Sequence, residues 1–306
     1  MSRVEQAADT PGVCAILVTW QPDLLHLQSL LDALLVQHCP VLLIDNGSDN
    51  RDGLRALLQQ LPPDAVQAAV FRDSNAGLAT ALNEGLALAR QAGFTQVLLF
   101  DQDSLISEHF VSDMQQQWQQ LPASPPPAAL GPRLQDPETG RRTPFRCFRW
   151  RRRSDRPVDG VEGLYHTDFL ISSGTLLSMA ALDQTGLMKE VYFIDNIDLE
   201  WCFRVSAQGF ALYGTDRAVL FHRIGEASRN PLVTSGILVQ HSPLRSYYST
   251  RNRIHLWRQP YAPLDWKVRD RIRFVLKSLW LVLFSARRRE YWQHIRRGIK
   301  DARGLS

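Results

Sequence analysis

The run Asp101-Gln102-Asp103 is where this 306-residue chain most plainly calls for chemistry. Two carboxylates one residue apart repel each other when both are ionised, so the pairing is unfavourable unless a cation relieves it. A hard divalent ion bound through oxygen does so, and the same ion grips a diphosphate. In extended chain alternate side chains share a face, which lets Asp101 and Asp103 point the same way. Such a triplet also arises in solvated loops, so its setting matters. It follows directly on the apolar run Gln96–Phe100 (QVLLF), at the end of a predicted strand.

Two further clusters stand beside it. In Phe193–Arg204 (FIDNIDLEWCFR), Asp195 and Asp198 flank a turn that opens a short helix. Either aspartate suits a helix N-cap. Either also suits a general base, since a carboxylate held beside a metal–diphosphate can take a proton from an incoming hydroxyl. In Phe221–Glu226 (FHRIGE), His222 follows the apparent strand Ala218–Leu220. A lone histidine is more often structural, but beside an acidic pair it becomes a third protein ligand for a metal.

These clusters need a scaffold to converge. Val13–Trp20, Val41–Ile44, Ala68–Phe71 and Gln96–Phe100 read as strands, the first as one buried on both faces. Between them, leucines from Leu24 to Leu35, the segment Leu54–Leu61 and a Gly77-led stretch through Ala89 carry helical spacing. Alternating strands and helices imply right-handed crossovers and a mostly parallel sheet with helices on both faces. Ligands then bind beyond the carboxyl ends of the strands, where Thr19, Asp45–Ser48 and Asp101–Asp103 would gather. Thr167–Met179 reads as strand, turn, strand.

Composition is that of an ordinary globular chain, 44% hydrophobic and 22% charged. Cys14, Cys39, Cys147 and Cys202 show neither a C-x-x-C pair nor zinc spacing, so free, mostly buried thiols and a reducing compartment are expected. The N-terminus lacks the apolar centre of a signal peptide, and no uncharged apolar run reaches membrane-spanning length. A cytoplasmic protein follows from that reading. The net charge of +4 conceals an imbalance: Asp265–Arg303 holds twelve Lys/Arg against four Asp/Glu, leaving the rest of the chain acidic. Residues 141–156 form a second basic stretch, suited either to a solvated loop or to contact with an anionic acceptor or membrane.

By this point the residues resemble the GT-A-fold glycosyltransferases of family 2, and among them bacterial rhamnosyltransferases. The motifs VTWQPD, IDNGS, NAGLATALNEGL, LLFDQDS, LISSGTLLS, YFIDNIDLEWCFR, FHRIG and SPLRSYYSTRNRI stand in the family's order, from about Val13 to about Arg258. The resemblance implies a Rossmann-like GT-A domain over 13–258, a flexible start over 1–12, and a basic helical extension over 259–306. It implies a nucleotide-sugar donor, dTDP-L-rhamnose first, another nucleotide sugar second. Thr19, Pro22 and Asp45 would lie at the pyrimidine, and Asn75, Gly77 and Asn83 along nucleoside and diphosphate. Asp103 and His222 would bind Mg2+ or Mn2+, with Asp101 at ribose, metal or metal-bound water. Asp198 would be the base of an inverting displacement, with Asp195 its competitor. Arg245, Tyr248 and Arg251 would help hold diphosphate or acceptor. A non-catalytic sugar-nucleotide-binding protein and a haloacid-dehalogenase-type phosphatase are the rival classes; the latter places its D-x-D on the first strand rather than the fourth.

The tail suggests where the acceptor resides. Phe274–Ala286 is apolar, too short to span a bilayer, and followed by Arg287–Arg289. It reads either as a buried docking helix or as an in-plane helix with Trp280, Leu281 and Phe284 among lipids. The second reading fits a lipid-linked or amphiphilic glycan acceptor of the rhamnolipid, O-antigen or exopolysaccharide type. It would place the protein on the anionic cytoplasmic face of the inner membrane. No nucleic-acid partner is expected, and a homo-oligomer is possible.

Overall fold

A computed structural model describes residues 12–63, 65–148, 154–221 and 242–305. At its centre is one ten-stranded sheet. Strands β1 (Val13–Thr19), β2 (Val41–Asp45), β3 (Val66–Phe71) and β4 (Gln96–Asp101) run parallel in the order β3-β2-β1-β4. Beyond β4 the sheet becomes mixed. The short β9 (Leu176–Ser178) pairs antiparallel with both β4 and β6 (Pro127–Gln135). Then β10 (Ala211–Phe221) runs parallel to β6, and β8 (Leu164–Thr167), β7 (Arg156–Pro157) and β5 (Leu105–Ile106) add antiparallel pairs.

The residues of β1 explain why the sheet must be covered on both faces. All seven are buried, and alternate side chains enter opposite cores. Cys14, Ile16 and Val18 join Ala79, Leu82, Leu86 and Ala89 of helix α3 (Leu78–Gln91). Ala15 and Leu17 join Leu27, Leu30, Leu31 and Leu34 of helix α1 (Leu24–Val36). Each such leucine, fully buried, contributes roughly 1.5–3 kcal/mol. Helix α2 (Arg51–Gln59) and α4 (Phe110–Gln119) complete the second face. Helices α5 (Met179–Thr185) and α6 (Ile197–Ala207) complete the first. Cys14, Cys39 and Cys202 are buried free thiols, and Cys147 is half-buried.

After the sheet come α7 (Pro243–Arg258), α8 (Leu264–Phe284) and α9 (Arg288–Asp301). They fold back on one another: Tyr247 donates to Asp301 at 2.9 Å, and Arg258 to the Ala302 carbonyl at 2.9 Å. This return corrects one expectation. Leu281 is buried against Tyr291 and Ile295, with Trp280 packed beside it, so neither faces outward; Phe284 is exposed. Among the described residues no helix is long and apolar enough to cross a membrane.

Candidate active site

The parallel register brings three strand ends together. Thr19 lies opposite Asp45, and Val18 opposite Asp101. The chain departs from β1 to β2 and β3 on one side and to β4 on the other, so a crevice opens at the carboxyl ends of β1 and β4.

On the β2 side Asp45 and the asparagines beside it are bound by their neighbours. Asp45 is fully buried; its Oδ1 accepts from Thr19 Oγ1 at 3.0 Å and Ser48 Oγ at 2.5 Å, and its Oδ2 from the Ser48 amide at 3.0 Å. Asn46 donates to Asn75 Oδ1 at 3.0 Å, and its own Oδ1 accepts from the Ala76 amide at 3.0 Å. Asn75 Oδ1 also takes the Gly77 amide at 2.9 Å. Gly77 has φ +94°, and a Cβ there would lie 2.8 Å from the Phe193 backbone; only glycine fits. Buried Pro22 has its carbonyl held by Asn50 at 3.0 Å, just before the Asp23 cap of α1.

On the β4 side the charges are not balanced. The Asp101 carboxyl is pushed up to about 7, first by burial and then by Asp198 and Asp103, against a smaller opposing pull from Arg245. Asp198 is also raised, by burial, although the Ser172 hydroxyl donates a short hydrogen bond to its Oδ1. Ser173 and Ser104 share a hydrogen bond of 2.6 Å, and Ser173 Oγ accepts the Asp101 amide at 3.3 Å. Gln102 turns back to accept the Trp20 amide at 2.7 Å, while Asp103 is exposed. A buried Asp101 whose carboxyl is raised further by neighbouring carboxylates is a site that a cation would relieve. The donor set fits Mg2+ or Mn2+. Among the described residues no group of three histidine, cysteine or carboxylate side chains stands ready for a metal. His222, the expected third ligand, lies outside the described residues; Phe221 before it pairs with Leu105, two residues past Asp103.

The segment carrying Asp195 and Asp198 is shaped from far along the chain. Phe193, Asp195 and Asn196 all have φ between +58° and +66°, a left-handed run that side chains ordinarily avoid. Asn252 of α7, fully buried, holds it with its amide shared among the carbonyls of Tyr192 (2.7 Å), Ile194 (2.8 Å) and Asp195 (2.9 Å). Tyr248 stacks on Phe193 with centroids 4.8 Å apart. Below, Tyr192 Oη and His255 Nδ1 are 2.9 Å apart, and burial brings the imidazole down to about 4. Arg245 forks onto Asp195, with contacts of 2.9–3.2 Å to both oxygens. Asp195 is therefore ion-paired with an arginine, whereas Asp198 begins α6 in the field of Asp101 and is served by the Ser172 hydroxyl and by the backbone of Ser172 and Asp198. Glu200 is structural: buried, it binds Arg204 at 2.8 and 3.0 Å and accepts from Tyr261 at 2.7 Å.

The crevice thus gathers Thr19, Asp45, Asn75, Gly77, Asp101, Asp103, Asp195, Asp198 and Arg245. Two expected residues are engaged elsewhere. Asn83 is buried, donating to the Met188 carbonyl and Glu190 at 2.9 Å and accepting the Met188 amide at 2.9 Å, because it lies one and a half turns into α3 and faces the protein. Arg251 donates to the Val191 carbonyl and lies over Tyr248 at 5.1 Å, so it clamps the loop. Sequence reading assigned no role to Ser172, Ser173, Gln102 or Asn252. The small polar pair inside an apolar strand context, and an asparagine in mid-helix where it is disfavoured, were the available signals.

Comparison with known proteins places this geometry. The family model described as "Glycosyl transferase family 2" matches residues 24–186, more than half of the chain and including Asp101–Asp103. A Shigella flexneri protein described as dTDP-rhamnosyl transferase RfbF is 27% identical over 299 residues, covering 96% of this chain and 97% of its own. Among solved structures, S. aureus TarS 1-349 in complex with UDP-GlcNAc aligns with a TM-score of 0.56 at 15% identity over 95% of this chain and 81% of that one. This chain spans only 44% of the longer TarS structure. The mannosyltransferase PcManGT from Pyrobaculum calidifontis, in complex with GDP-Man and Mn2+, aligns with a TM-score of 0.55 at 14% identity over 97% of this chain and 76% of that one. Sheet order, acidic strand end and family match agree: the chain is a GT-A-type α/β protein that belongs to glycosyl transferase family 2.

Proposed function

We propose that this glycosyltransferase moves L-rhamnose from dTDP-L-rhamnose, with inversion, to a hydroxyl of a lipid-linked or amphiphilic glycan acceptor at the cytoplasmic face of an inner membrane. The observation that carries the reaction class is the acidic cluster of Asp101, Asp103 and Asp198 at the β4 end of the crevice, where burial and neighbouring carboxylates raise Asp101. The donor sugar rests on the near full-length likeness to the Shigella protein.

In this reading the bonded β2 edge, with Thr19 and Asp45 behind it and Asn75 and Gly77 along it, seats the nucleoside. Asp103, with Asp101 and His222, would hold Mg2+ or Mn2+, and the ion would supply neutralisation of the departing diphosphate. Asp198 accepts the proton of the acceptor hydroxyl as oxygen attacks the anomeric carbon; burial raises its affinity for protons, and unlike Asp195 it is not clamped by an arginine. Ser172 orients that carboxylate. Arg245, already on Asp195, is placed to turn to the diphosphate. The sugar passes through an oxocarbenium-like transition state.

A panel of nucleotide sugars tests the reading. Release of dTDP from dTDP-rhamnose, dependent on added Mn2+ or Mg2+ and abolished in Asp103→Asn, is expected; turnover of a UDP- or GDP-sugar instead moves the protein to another donor within the family. Donor binding without release under any metal would make it a sugar-nucleotide-binding protein.

A further inference from the structure

Helix α8 has two apolar faces. Its inner face packs on the protein: Trp266 and Leu281 are buried, Asp270 accepts from Trp257 at 2.8 Å and pairs with Arg253 at 2.9 Å, and Phe274 meets Trp257 edge-on at 5.6 Å. The opposite face carries Leu264, Val268, Ile272, Val275, Leu279 and Leu283, all 37–73% exposed. Intervals of three and four residues put them in one stripe, about 29 Å long at 1.5 Å per residue. Scattered exposed leucines need no explanation, but a continuous stripe over five turns marks an interaction surface.

The charges around the stripe identify the occupant. Arg269 and Arg273 lie along one margin by helical register and Arg271, over Trp257 at 5.5 Å, along the other; Arg288 and Arg289 follow just past its end, beside an Arg287 that pairs with Glu290. Arg146, from the separate basic stretch, sits in the field of Arg273. A second copy docked through a twofold axis would face this stripe with its own arginines. A bilayer surface with anionic headgroups takes both components: the aliphatic stripe enters the acyl boundary and the arginines meet phosphates.

We infer that the outer face of α8, from Leu264 to Leu283, lies in the plane of an anionic lipid surface. This deepens the reading of a membrane-borne acceptor and assigns the contact to residues other than Trp280 and Leu281. The inner face of the same helix carries half-buried Lys277, which feels Asp195, Arg245 and Arg253. The inner face of α8 thus turns toward the Asp195–Arg245 pair, and the apolar stripe turns away from it. An acceptor anchored in the bilayer would reach Asp198 past the edge of α8.

The test uses the full chain with vesicles of phosphatidylcholine, alone or with one-third phosphatidylglycerol, in co-sedimentation, with neither donor nor acceptor present. Wild-type protein is expected to bind the anionic vesicles, less so at high salt. The double variant Ile272→Glu, Leu279→Glu, changed at exposed positions and checked for an unaltered thermal transition, is expected to lose at least about tenfold in partitioning. Its dTDP release with a water-soluble acceptor should be unchanged. Wild-type protein left in the supernatant, a variant that binds like wild type, or a dimer that the glutamates split into monomers each overturns the inference. Because no sugar is involved, failure here leaves the transfer reading standing, and failure of transfer leaves this one.

Discussion

The two sides of the crevice are built on opposite principles. Along β2, Asp45 is buried and yet fully served, its oxygens taking two hydroxyls and an amide; Asn46 and Gly77 both donate to Asn75, and Ala76 donates back to Asn46. At the β4 end, burial and then the charges of Asp198 and Asp103 raise Asp101 against a smaller pull from Arg245, and burial raises Asp198 despite the hydroxyl and backbone donors it has. A buried carboxylate that is satisfied becomes scaffold; one that is not becomes a place where a cation or proton has somewhere to go. The rigid side holds a shape, and the other holds a free-energy difference for the reaction to use.

That contrast breaks first at Asp198. Asp198→Asn should lower kcat by on the order of a thousandfold or more, with donor affinity in calorimetry changed by less than about threefold. Asp195→Asn, which frees Arg245, should cost appreciably less. A single-turnover rate for the Asp198 variant above about a tenth of wild type would give the base role to Asp195 instead.

The next effect belongs to the rigid side and is one of stability. Gly77→Ala demands a side chain at φ +94° against the Phe193 backbone, so it should destabilise by about 2–3 kcal/mol in denaturant unfolding and loosen the Asp195 loop behind it. Loss within about half a kcal/mol would show that the two sides are not in contact through this glycine.

His255 joins them from beneath. Its folded pKa of about 4 is below the ordinary value of 6.5, so its contribution is present above pH 6.5 and is lost as pH falls from there toward 4. We expect wild type to lose about 2 kcal/mol across that window relative to His255→Gln, read from paired unfolding curves. Parallel curves would mean that the imidazole takes its proton without disturbing Tyr192. The smallest effect should come from Thr19→Val, about 1 kcal/mol, because Asp45 keeps both bonds from Ser48.

How much of this was readable beforehand follows locality. Strands β1, β2 and β4 announce themselves as uninterrupted apolar runs, and the convergence of Thr19, Asp45 and Asp101 follows from their parallel order. Asp101–Asp103 was legible because it ends a strand. The distinction between Asp195 and Asp198 was not, since it depends on Arg245, fifty residues later, and on Ser172, twenty-six residues earlier. Asn83 shares a helix with Gly77, and its inward direction is decided by Met188 and Glu190, which no periodicity in α3 can show. Leu281 looked like lipid contact from its apolar neighbours; the return of α9 buried it and left the other face of α8 exposed.

The left-handed run at Phe193–Asn196, fastened by Asn252, bears on how this enzyme can be recombined. Each such backbone position costs about 1–3 kcal/mol, and the fastening that offsets it resides in α7, outside the stretch that matches the family model. The segment bearing Asp195 and Asp198 is therefore not portable on its own. A chimera that imports residues 24–186 takes the proposed nucleotide seat and the acidic strand end but leaves behind both the proposed base and its mould. Exchange of specificity between relatives should succeed when the cut falls after Arg258 and fail when it falls between α6 and α7.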